Sequence, residues 1–487
     1  MSEHGRTDID PDRPRSRFAF LLRPWFLIVV TILLILVAIP LTYRSTRLSA
    51  IPPIEEIVDL QTEGRVTIEP AENAFTFYER AWKLTPSGLD VEVLYEALGA
   101  FDTGGWETVS LEARNSLDQC EPKLAEWRRG TELKLAARDL PADMDWYNQG
   151  DLSDSETVTS VALLMAARCQ HDGRLDEAWQ WLRAVFRFSR HLGNPGPSGD
   201  RYAGTSIHAS ACQRLVAWAA DSRVTTEQLT TALTEVRDIY RNTVANSTCL
   251  RLEYVINVNS LSNPELLKEL CSWLPVAENL PTSLHGVWLF VNAEPQVGLL
   301  LQRHLISNYL SQCDLPRWER TPAGTSAELF LPTGKEVPPL IDPRTLDDLL
   351  SRSPIGSMFG ADFYLIENSD NEQALQSALE LCLMAELFRR RHGSYPDSLD
   401  ALVPEFVAEV PRDLFGPTSA DRMLMFRREA AAVVKPADEF EEESLDTLPG
   451  LILYSRGSDG TDDEGRVDST DDTGLRIPIP PPGASQP

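Results

Sequence analysis

Between Leu451 and Asp472 the chain reads LILYSRGSDGTDDEGRVDSTDD, which gathers Asp459, Asp462, Asp463, Asp468, Asp471 and Asp472 into one short stretch. Carboxylates this close repel one another until a cation neutralises them, and Ca²⁺, which takes about six to eight oxygen ligands, suits such a set. The spacing is not that of an EF-hand: with Asp459 as position one, Gly465 falls at seven, where that loop needs its glycine at six. A solvated acidic tail is the competing reading of the same residues.

Elsewhere the chemistry-bearing side chains are scattered. His208 lies beside Ile207 at the head of an apolar helix, and His304 shares a stripe with Val297, Leu301 and Asn308, so both read as hydrogen-bonded core histidines. No H-E-x-x-H, G-x-S-x-G or phosphate-binding glycine loop occurs. Asp143-Met144-Asp145 reads as a loop with two solvated carboxylates, and Gly196-Pro197-Ser198-Gly199 as a turn. The seven cysteines, 22 or more residues apart, exclude C-x-x-C spacings and read mostly as buried free thiols. Trp179, Trp181, Trp218 and Trp273 belong to helix packing. No catalytic residue is therefore assigned from sequence.

These residues must be positioned by elements, and the first is an anchor. Trp25 to Leu41 carries no charge. At about 1.5 Å per residue such a run spans roughly 25 Å, close to the hydrocarbon thickness of a bilayer. With Thr42 and Tyr43 it predicts a single transmembrane helix over 25–43, contacting lipid. Arg6, Arg13, Arg15, Arg17 and Arg23 precede it, and only Arg44 and Arg47 follow closely. The positive-inside bias then gives an inner (cytoplasmic) membrane protein with its N-terminus in the cytoplasm and the bulk of the chain outside. Residues 1–24 are too polar to order themselves. The formal charge of -28 argues against nucleic acid as a partner.

Helical periodicity dominates 44–318. Val158 to Arg168, the turn at Gly173, and Leu175 to His191 predict one helical hairpin; Ser206 to Ala220 and Thr226 to Thr243 predict another, with Thr225 and Gln228 as a capping box. No 34-residue period is present, so the expectation is an irregular α-hairpin or solenoid-like domain rather than tetratricopeptide repeats. Prolines at 322, 332, 338, 339, 343 and 354 mark 319–370 as a connector, and strands are expected only after Phe415.

A helix over Asn371 to Arg391 then leads into HGSYPDSLDALVPEFVAEVPRDLFGP (392–417) and later LILYSRGSDGTDDEG (451–465). The sequence helix, G-x-Y-P, P-x-D-x-x-G and Y-S-x-G-x-D-G resembles the C-terminal domain of the major pseudopilin of type II secretion. It covers about 371–477, with 478–487 as a disordered tail. The whole layout is similar to that of single-pass envelope proteins carrying this module. The resemblance implies a small α+β domain with a short antiparallel sheet and calcium in its last loop, for which Asp459, Asp462 and Asp463 are the ligands expected here. A pseudopilin's own anchor lies at the start of the module's helix and carries a glutamate; here Arg23-Pro24-Trp25 precedes the anchor and it contains no glutamate.

The fold expected is thus mainly α: one transmembrane helix, an extracytoplasmic helical domain, and a pseudopilin-like α+β end. The function expected is protein binding or assembly in the cell envelope, with a protein partner on the helical domain. The alternatives are an anchored hydrolase-type enzyme whose site is dispersed in sequence, or an accessory component related to type II secretion.

Overall fold

The computed structural model describes residues 24–478 apart from 56–62, 64–65, 85–90, 142, 146–152, 195, 275–279, 324–328, 332–342, 355–361, 417, 419, 429–449, 458–459 and 466–471. The chain is mainly helical, with a small three-stranded antiparallel sheet near the C-terminus. Helix α1 (Pro24–Ser49) has no buried residue and, among the described residues, is the one helix long and apolar enough to cross a membrane.

Helices α2 (Ala74–Trp82), α3 (Val91–Gly104), α4 (Leu111–Gln119) and α5 (Glu121–Thr131) lead into α6 (Ser153–His171) and α7 (Leu175–His191), the predicted hairpin. Gly173 takes φ +78° in its turn, a conformation that favours glycine. On α7 the stripe Leu175, Ala178, Leu182, Val185 and Phe186 is buried. Helix α8 (Ser198–Ala220) starts eight residues ahead of the expected Ser206. The Gly196–Gly199 stretch read as a turn leads into it, with Pro197 as the N-cap and Ser198 and Gly199 in the first turn, where the Ser198 N–H and hydroxyl both donate to the buried Glu253. Helix α9 (Thr226–Tyr240) carries the Thr225/Gln228 capping box in both directions.

Helices α10 (Asn246–Ser262), α11 (Pro264–Trp273), α12 (His285–Asn292), α13 (Glu294–Leu310) and α14 (Pro343–Ser351) follow. Strands do not wait for Phe415: β1 (Thr321–Ala323) and β2 (Leu329–Leu331) form an antiparallel hairpin inside the connector. Its two short runs lack helical periodicity, and Pro322 is tolerated because a two-stranded hairpin leaves one edge of each strand unpaired. Helix α15 (Asp362–His392) runs 31 residues, beginning nine before the expected start. Gly393 at φ +84° ends it. The sheet then forms in the order β3 (Leu424–Arg428), β4 (Gly450–Ser455), β5 (Thr473–Pro478), and every residue of the central β4 is buried.

Buried side chains form two main clusters among the described residues. One core joins α2–α9 to the second half of α15 and the sheet. A second holds Ile51, α10–α14 and the start of α15 through Leu365 and Ile366. Helix α15 is therefore the spine common to both. All seven cysteines are buried and unpaired.

Candidate functional site

The β4–β5 connection carries the acidic run. The Tyr454 hydroxyl donates to Asp462 Oδ1 at 2.9 Å, and the Glu464 N–H donates to the same oxygen at 3.0 Å. Asp472, immediately before β5, is fully buried; its Oδ2 accepts from the Gly465 N–H at 2.8 Å, while Oδ1 has no hydrogen-bond partner among the described residues. Burial pushes the Asp472 carboxyl up to about 6, with the charges of Asp462 and Asp463 adding to it against the Gly465 and Asp463 N–H groups. The chain turns here through Glu464 at φ +57° and Gly465 at φ +72°.

Of the expected ligands, Asp462 and Asp463 thus lie near enough for their charges to act on Asp472, and Asp459 lies outside the described residues. Among the described residues no group of three or more His, Cys, Asp or Glu side chains is arranged to hold a metal ion. Asp472 belongs to the acidic run but not to the ligand set expected from sequence. The signal was its place, one residue ahead of a buried strand, where an aspartate is drawn inward with the backbone it precedes.

The motifs around the loop meet in space. Asp413, from P-x-D-x-x-G, is fully buried. Its Oδ1 accepts from the Phe415 N–H at 3.1 Å and from the Ser455 hydroxyl; its Oδ2 accepts from Arg456 Nη1 at 2.7 Å and from the Arg456 N–H at 3.4 Å. Ser455 and Arg456 are the S-R of Y-S-R-G, so the turn closes directly onto the first residue of the acidic loop. Tyr395, from G-S-Y-P, donates its hydroxyl to Glu386 on α15, which also accepts from Arg389 at 2.8 Å.

A second polar centre fixes α15 to the helical body. Glu372 accepts from Arg190 of α7 and Arg201 of α8, and all three side chains are at most 3% exposed. The two guanidinium charges outweigh the cost of burial and hold the Glu372 carboxyl well below the usual carboxylate range. His208 lies beside it, pairing Nε2 with Gln376 Oε1 at 3.1 Å, and burial lowers its pKa to about 4. His304 pairs with the Pro52 carbonyl at 2.9 Å. Both are core histidines. Asp145 accepts from Asn263 at 3.2 Å, in keeping with a loop carboxylate.

The helical body also carries an open cleft of about 520 Å³ between α4, α5, α6 and α7. In it Arg168 pairs with Asp118 at 2.7 Å, Arg174 with Glu177 at 2.6 Å, and the Arg128 guanidinium stacks 4.7 Å above the Trp181 ring. The cleft thus offers charges of both signs around an aromatic floor.

Compared with family models, curated proteins and solved structures, the chain matches none.

Proposed function

We propose that this is a membrane-anchored protein of the cell envelope whose extracytoplasmic helical body binds a protein partner, with a pseudopilin-like module as a rigid end. The observation that carries the partner reading is the α4–α7 cleft. Tryptophan and arginine are the side chains that most often dominate interface energetics, and here Arg128 over Trp181 sits within a ring of charges able to fix orientation. The arginine bias ahead of α1 supports a cytoplasmic N-terminus at the inner membrane. The closure of Asp413 onto Ser455 and Arg456 supports the pseudopilin likeness, because it gives the two spaced motifs one physical reason to occur together.

One experiment tests both halves. An Arg168→Cys variant is treated, in right-side-out spheroplasts, with a membrane-impermeant maleimide carrying a photocrosslinker. The native cysteines are buried, so labelling reports position 168. Labelling followed by one discrete cross-linked adduct is expected, and the adduct should vanish when Trp181→Ala is added. Absence of labelling overturns the orientation; labelling without an adduct overturns the partner site.

We further propose that the terminal acidic loop takes calcium. The buried Asp472 Oδ1, without a hydrogen-bond partner among the described residues and on a carboxyl that the nearby charges of Asp462 and Asp463 help push up, supports this reading, since a cation would supply the counter-charge that no described residue is seen to give it. Its pKa in the fold lies above the unfolded value, so its contribution to stability is present at acid pH and is lost as pH rises through about 6. At pH 7.5 in chelator, Asp472→Asn is therefore expected to melt higher than wild type. Calcium should stabilise the wild type by about 2.7 kcal/mol at a hundredfold excess over the dissociation constant, seen as a higher melting midpoint, and leave Asp472→Asn unmoved. Equal responses of the two proteins to calcium would reduce the cluster to a solvated acidic loop.

A further inference from the structure

Helix α12 carries an apolar face that the fold does not cover. Leu284, Val287 and Phe290 are 44%, 57% and 53% exposed. Leu284 ends the short 3-10 turn that caps α12, and with Val287 and Phe290, spaced three apart, it lies on one side, opposite the buried His285 and Leu289. His285 Nε2 meets the Leu280 carbonyl at 3.3 Å, which ties the inward side down. Outside α1, the other large apolar side chains exposed among the described residues are isolated from one another in the chain: Val66, Leu84, Leu111, Leu135, Tyr202 and Trp318. Isolated exposed side chains need no explanation; three in register along a helix and its cap do.

What stands beside this face is the end of α1. Helix α12 packs on α1. Arg44 donates to the Phe290 carbonyl and lies 4.7 Å over the Phe290 ring. Arg47 donates to the Asn292 carbonyl at 2.8 Å and pairs with the buried Glu294 at 2.5 Å. Arg44 and Arg47 are the first charges after the uncharged run that begins at Trp25. They therefore stand where an anchor leaves the hydrocarbon, and α12 is held at that same level. From Leu280 to Ala293 the chain carries no Asp, Glu, Lys or Arg, although the protein as a whole is at -28. A neutral apolar surface held at that depth matches the acyl–headgroup boundary, with the half-buried Trp288 suited to the interfacial belt.

We infer that α12 is a second membrane contact: it lies in the boundary layer of the leaflet where α1 emerges, its Leu284–Val287–Phe290 face among the acyl chains. This rests on the reading of α1 as a membrane anchor. A single spanning helix leaves the body free to swivel. A second contact, locked to the first by Arg44 and Arg47, fixes the tilt at which the body stands on the bilayer. Because the face is uncharged, its insertion does not depend on anionic lipid.

The test uses the full chain in phosphatidylcholine nanodiscs, with nitroxide labels placed singly by Leu34→Cys in α1, Val287→Cys, Phe290→Cys and, as an exposed control on α8, Ser210→Cys. Relaxation by oxygen, which concentrates in acyl chains, is compared with relaxation by a water-soluble nickel chelate. Labels at 287 and 290 are expected to favour oxygen several-fold over the chelate, as at 34, whereas 210 favours the chelate. If 34 is lipid-exposed but 287 and 290 behave like 210, the inference fails and the anchor stands. If 34 also behaves like 210, both fail. Spin–spin broadening between labels at 287 would mean that a second copy covers the face, which overturns the inference as well.

Discussion

Glu372→Ala is expected to destabilise the protein more than any other single substitution considered. The carboxylate is the only acidic group that the two buried guanidiniums of Arg190 and Arg201 share as an ion-pair partner among the described residues. Breaking a buried pair from one side typically costs about 3–5 kcal/mol, because the remaining charge is stranded in a low dielectric. Here two charges are stranded, close enough to repel each other. Set against a typical stability of about 5–15 kcal/mol, the loss takes the chain to the edge of unfolding.

Three comparisons give that prediction its content. Glu372→Gln keeps the shape and part of the hydrogen bonding, so it should fall between wild type and alanine. Replacing Arg190, Arg201 and Glu372 together by apolar residues of similar volume should recover most of the loss, since the three desolvation costs disappear with the charges. The pH dependence has a definite sign: the Glu372 pKa is depressed in the fold, so its contribution is present above the unfolded value near 4.5 and is lost as pH falls below it. The gap between wild type and Glu372→Ala should accordingly be widest at neutral pH and narrow below pH 4.5. Denaturant unfolding of the full chain in nanodiscs measures all four proteins. An alanine variant within 1 kcal/mol of wild type at pH 7 would show that the triad is not the joint argued here.

That joint also marks the limit of what the sequence reveals. Elements specified by neighbours in the chain were legible. Helix α7 begins and ends at the expected residues, the Thr225/Gln228 box caps α9, and Gly173 and Gly393 take the left-handed conformation at the turn and helix end where each was placed. Elements specified by distant partners were not. The residues from Asp362 to Asp370, one apolar run Phe363–Ile366 followed by four polar residues, show no helical period, yet Leu365 and Ile366 bury against the second core and carry α15 upstream. Ser198 looks like a turn residue until Glu253, 55 positions away, receives its hydroxyl and N–H. Arg190 and Arg201 precede Glu372 by 182 and 171 residues, a separation at which no periodicity survives. In the acidic loop the cluster was visible, but Asp472, buried where the described Asp462 is exposed and Asp463 half-buried, was set apart only by the strand that follows it.

The same distinction gives Asp413 its expected effect. It is fully buried and gathers four donors from two motifs that lie 42 and 43 residues apart from it or beside it in the turn. Removing the carboxylate leaves the Phe415 N–H and the Ser455 hydroxyl without this acceptor, and it breaks the pair with Arg456, whose side chain is 19% exposed and can turn partly toward water. The expected cost of Asp413→Ala is about 3 kcal/mol, at the lower end for breaking a buried pair because of that escape. Asp413→Asn, which can still accept from two of the donors, should lose about half as much. The loss should be local. Amide exchange is expected to quicken in β4 and β5, whose register depends on Ser455 staying pinned, while α10 and α13 in the second core keep their protection. Unchanged exchange in β4, or a uniform rise across both cores, would count against Asp413 as the latch between the turn and the acidic loop. If the loop binds calcium, the same variant should weaken binding, since Arg456 opens the segment that carries Asp462 and Asp463. Asp413→Ala would then lower the calcium-induced rise in melting temperature without touching any of the carboxylates proposed to hold the ion.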